Sequence, residues 1–113
     1  MPSAIYELFA RAMAERKQVL CLYDGYPREL CPIVLGHSKG EEAALVYQFA
    51  GASRTGLPPG GQWKCLHLSK ASNVRLRDGP WHAGSRHRRP QACVETVELD
   101  VNPASPYRPR RRL

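Results

Sequence analysis

Near the start of the chain, apolar side chains recur at Ile5, Leu8, Phe9, Ala12 and Met13. This is the i, i+3, i+4 spacing of one buried helical stripe. Ser3 stands where an N-cap is wanted, Glu7 lies near the start, and Arg16 and Lys17 lie near the end. Those charges suit the helix dipole, and a helix is predicted over residues 3–17.

Beyond Lys17 the pattern changes to period two and short apolar blocks. Gln18–Tyr23 predicts a strand, and Asp24-Gly25 is a hairpin turn signal. Arg28–Leu35 is the return strand. Pro32 within it implies an edge position or a bulge, because proline has no N–H for the ladder. Residues 36–40 are expected to turn, and Ala43–Ala50 to form a third strand buried on both faces. Residues 51–62 hold four glycines and two prolines and so predict a loop. Strands follow over Trp63–Leu68, Val74–Arg77 and, after an irregular basic stretch over 81–91, Cys93–Val101. Residues 102–113, with Pro103, Pro106, Pro109 and a run of arginines, are expected to be an extended tail after one domain over 1–101.

One helix followed by five or six short, tightly turned strands predicts a mainly β (α+β) domain, a small, strongly bent antiparallel sheet or barrel. The absence of long crossovers excludes a doubly wound α/β fold. At 113 residues there is room for one core. No apolar run approaches the roughly 18 residues that span a bilayer, so no membrane partner is expected. Residues 1–14 do not have the make-up of a signal peptide, and a cytoplasmic location is expected. On that view Cys21, Cys31, Cys65 and Cys93, none in a CxxC pair, are plain core thiols.

Charge sharpens the picture. Through Val74 there are eight Lys/Arg against six Asp/Glu, and from Arg75 onward nine arginines against four acids. The net charge of +7 is therefore concentrated late in the chain and favours anionic partners.

Several of these segments resemble WYL domains. Val19-Leu20-Cys21-Leu22-Tyr23 followed by Arg28-Glu29-Leu30-Cys31-Pro32 is similar to their opening pair of strands, Ala43–Gln48 to the strand carrying their signature, and Trp63–Lys70 to the basic element after it. The likeness runs over residues 4–77. The signature tripeptide stands here as Glu42-Ala43-Ala44, and the basic-acidic-basic set as His67, Ser69 and Lys70. The resemblance implies a divergent, stand-alone member without the winged-helix domain that usually comes first. It also implies an Sm- or SH3-like small barrel, and regulatory sensing of an anionic small molecule or nucleic acid. Carried over, Tyr23, Arg28, His67 and Lys70 would line the ligand pocket.

Each candidate site has a bland counterpart. The cations at Arg28, His67 and Lys70 can equally belong to a solvated sheet face. Trp81 with Arg86, Arg88 and Arg89 interleaves aromatic and basic groups as a single-stranded nucleic-acid contact does, yet one aromatic makes a poor stacking platform and Trp81 can simply plug the core. His82, His87 and Cys93 lack the close ligand pair of a structural zinc site, so no metal or other cofactor is expected. Glu41 and Glu42 are adjacent, which on a strand sends them to opposite faces, and no nucleophile or phosphate-loop motif is present. An enzyme is not expected. Two readings remain: a regulatory module binding an anionic ligand, such as a nucleotide or oligonucleotide, or a structural module that dimerises or docks a partner through its helix or a sheet edge.

Overall fold

A computed structural model describes residues 3–52, 61–82, 94–101 and the backbone of 111–112. The helix α1 spans Ala4–Glu15. Ser3 caps it, its hydroxyl accepting from the Tyr6 N–H at 3.1 Å, and Arg16 ends it in the left-handed region at φ 54°. Tyr6, Phe9, Ala12 and Met13 are its buried positions. Ile5 and Leu8 are only partly buried, so the stripe is rotated from the predicted one toward Tyr6. The Tyr6 ring is apolar enough to enter the core while its hydroxyl donates to Glu98 Oε1 at 2.6 Å.

The sheet that receives this helix runs in the order β4-β3-β2-β1-β5, with β1 Gln18–Tyr23, β2 Tyr26–Ser38, β3 Glu41–Gly51, β4 Gln62–His67 and β5 Ala71–Arg77. These neighbours are antiparallel. Strands β4 and β5 form the two ends of this path and are joined by one turn of 3-10 helix, Leu68–Lys70. The expected helix followed by a bent antiparallel sheet is present. Among the described residues β4 and β5 do not pair with each other, so the sheet is open.

Two tight hairpins shape it. Asp24 and Gly25 have φ of 52° and 78°, and Lys39 and Gly40 have 52° and 79°. Two successive positive φ values define the type I′ turn that matches strand twist. The second hairpin corrects the broad turn expected over 36–40, because β2 continues through Ser38. Gly36 serves another purpose there: a Cβ on it would lie 1.9 Å from the Thr96 carbonyl oxygen. Glycine at this position lets β6 (Thr96–Asp100) approach.

The thirteen-residue β2 has β3 along one edge and two successive partners along the other: β1 through Leu30, then β6 from Val34. Pro32 sits between them, beside a register shift in the β2–β3 ladder. The extra residue at that irregularity is Ile33, directly after Pro32, while Pro32 itself is registered with Val46. The short β7, Arg111–Arg112, runs parallel to β6, so part of the expected tail pairs with the sheet.

Burial on both faces of β3 follows the prediction. Ala44 and Val46 join α1, Val19, Leu30, Leu35, Leu66 and Leu68 in the larger core, while Ala43 and Leu45 join Ile33, Val34, Val94 and Val97 in a second cluster on the opposite face. The four-thiol expectation holds for Cys21 and Cys31, which are free and buried. It fails for Cys65, which is exposed on the end strand β4 and is disulfide-bonded. Cys93 lies outside the described residues.

Candidate functional site

Cross-strand register places Arg28 directly opposite Cys21 on the face that packs toward the larger core, two residue pairs along the ladder from Val19 and Leu30. Arg28 is only 6% exposed. Its guanidinium lies 5.0 Å from the centroid of the Tyr23 ring, and Nη1 donates to Gln48 Oε1 at 3.2 Å. Its Nε is buried and has no hydrogen-bond acceptor among the described residues. Among the described residues no carboxylate pairs with this arginine. A buried cation held by one amide and one ring is incompletely compensated, since a single cation–π contact contributes about 0.5–2 kcal/mol while burying an ion costs several.

Gln48 is fixed from the other side, its amide nitrogen donating to the carbonyls of Ala50 and Ala52 at 3.1 Å each. With Nε2 so employed, its oxygen must face Arg28. Tyr23 links this cluster to β4 by accepting the His67 backbone N–H at 3.0 Å.

The four residues singled out by the resemblance are therefore joined only in part. Tyr23 and Arg28 share an interior contact, and Tyr23 also holds the His67 main chain. The His67 side chain, 47% exposed, belongs to the other face: His67 pairs with Ala43 of the second cluster, and its Nδ1 lies 4.0 Å from Glu41. Lys70 is exposed in the 3-10 turn. Trp81 packs against the second cluster, with the Arg16 guanidinium 5.7 Å from its ring, as the core-plug reading has it. Arg86, Arg88 and Arg89 lie outside the described residues, as do His87 and Cys93. No group of three or more metal-binding side chains occurs among the described residues.

A recess of about 310 Å³ opens beside the Arg28 cluster. Its lining includes Leu20, Leu22 and Pro27, together with Arg28, Arg75 and Arg77. The β1–β5 register shifts between Leu20 and Leu22, and the recess straddles that irregularity. Arg77 is engaged: its Nη2 reaches Gln18 Oε1 at 2.6 Å and Glu29 Oε1 at 2.7 Å. Arg75, exposed and opposite Leu20, has no ion-pair or hydrogen-bond partner among the described residues. Cys21, between the two strands, shows both unpaired guanidiniums electrostatically. Burial pushes its thiol from an ordinary 9.0 up to about 11, and Arg28 and then Arg75 oppose the rise.

Gln48, Cys21 and Arg75 were not among the predicted site residues. Gln48 carried a signal, a lone amide in the apolar run Ala43–Ala50, and so did the alternation Val74-Arg75-Leu76-Arg77, which puts two arginines on one side of a strand. No family model, curated protein or solved structure matches this chain.

Proposed function

We propose that this protein is a non-catalytic, WYL-like regulatory module that binds an anionic ligand, a nucleotide or oligonucleotide among the candidates, at the β1–β2–β5 recess beside Arg28. The observation that carries the reading is the uncompensated charge of Arg28, buried with an unpaired Nε and, among the described residues, no carboxylate in an ion pair with it. Proteins rarely retain such a charge without a counter-charge, and an anion taken from solution supplies one. The recess lined by Arg28 and Arg75 offers the room.

The second reading, docking or dimerisation through the helix or a sheet edge, loses its first route. The apolar stripe of α1 is already buried against the sheet. It keeps the second, since β4 and β5 each pair with a single strand among the described residues. No helix is long and apolar enough to cross a membrane among the described residues. The cytoplasmic placement comes from the sequence reading alone, and the disulfide at Cys65 weighs against it, because cytosolic thiols are kept reduced.

Binding of a nucleoside monophosphate and of single-stranded DNA, each titrated with salt, separates the readings. The anion reading expects measurable binding at low salt that weakens as salt rises, because neutralised phosphates release counterions. Absence of binding at low salt together with a dimer in solution favours the second.

A further inference from the structure

The shape and charge of the recess narrow the ligand. Its volume of about 310 Å³ is at the small end of the roughly 300–1,000 Å³ range of ligand pockets. Strand-binding grooves, by contrast, track about 4–16 nucleotides per domain. The recess also contains the Glu29 carboxylate, held in place by Arg77 at 2.7 Å. Of the two arginines on the β5 side, Arg77 is tied to Gln18 and Glu29 while Arg75 is left to meet a solute. Leu20, Leu22 and Pro27 supply an apolar wall, which inorganic ions do not use.

Resting on the anion-binding reading above, we propose that the recess takes a small organic anion. Such a ligand has one phosphate-monoester or carboxylate head, which Arg75 contacts, and an apolar body that lies on Leu20, Leu22 and Pro27. A mononucleotide falls within this class and a nucleic-acid strand does not. The buried Arg28 charge adds its field from beneath β1. The Arg75 guanidinium forms the direct hydrogen bonds, which are charge-assisted and strong for that reason.

The test follows backbone amide shifts of the full chain during titration with phenyl phosphate, benzoate, phenol and inorganic phosphate. Phenyl phosphate or benzoate is expected to move the amides of Leu20, Leu22 and Arg75, and the tighter of the two identifies the head group. Phenol and inorganic phosphate are expected to bind at least about tenfold more weakly, a tenfold change corresponding to about 1.4 kcal/mol. Arg75→Gln should cost the better anion about tenfold or more in affinity while leaving the rest of the spectrum in place. Inorganic phosphate or phenol binding as tightly, or an unchanged affinity in Arg75→Gln, overturns the proposal. Shifts that map to another face overturn the recess and leave the anion-binding reading standing. Failure of every anion to bind removes both.

Discussion

The guanidinium of Arg28 lies 5.0 Å from the centre of the Tyr23 ring, and the hydroxyl of the same tyrosine accepts the main-chain N–H of His67 at 3.0 Å. One buried side chain thus supports a cation with its face and an end strand with its tip. The two roles separate in Tyr23→Phe. The ring remains for Arg28, while the His67 N–H loses its acceptor, so stability is expected to fall by about 1–2 kcal/mol with anion affinity unchanged. Urea unfolding together with a ligand titration checks both parts.

Gly36 is expected to be intolerant of any side chain. A Cβ there meets the Thr96 carbonyl oxygen at 1.9 Å, and backbone cannot yield as a flexible side-chain end does. Gly36→Ala should cost about 2–3 kcal/mol, the upper part of the range for overpacking, with loss of amide protection concentrated in β6. Hydrogen exchange locates the effect.

Burial raises the Cys21 thiol from 9.0 to about 11. The folded state therefore holds this proton more tightly than the unfolded chain does. Its contribution to stability is fully present below pH 9.0 and is lost as pH climbs through about 11. Unfolding free energies measured across that window should fall, and should fall less steeply in Cys21→Ala.

The cysteine inventory gives a simpler check. Cys21 and Cys31 are free and buried, and Cys65 is disulfide-bonded. Denatured but unreduced protein should present fewer titratable thiols than the four that prior reduction restores. A shortfall before reduction would argue for an oxidising compartment, and four thiols for a reducing one.

Local signals made the secondary structure readable. The helix was written in its stripe and Ser3 cap, the first hairpin in Asp24-Gly25, and the bulge in Pro32. The second turn reads too wide in the sequence because Gly36 looks like a turn residue in one dimension. Its reason, the approach of β6, comes from a strand sixty residues later. The same limit applies to the site. Tyr23 and Arg28 lie near each other along one hairpin and were legible together. His67 and Lys70 are set by the β3–β4 register and the 3-10 turn. Register decides that the His67 side chain faces away from Arg28, and a one-residue slip would have reversed it. Arg75 joined the site only because β5 pairs with β1, across more than fifty residues of chain.

The central claim is that Arg28 is kept for a ligand rather than for the fold, and its most direct measurement is the urea midpoint of wild type and Arg28→Met, each with and without the tighter-binding anion. Replacing an uncompensated buried charge by an apolar side chain of similar length is often neutral or stabilising, by up to a few kcal/mol. The account predicts that Arg28→Met is at least as stable as wild type without the anion. Addition of the anion should raise the midpoint of wild type, by the linkage between binding and folding, more than that of the variant. A variant destabilised by several kcal/mol, with wild type indifferent to the anion, would make Arg28 a structural residue and contradict the account.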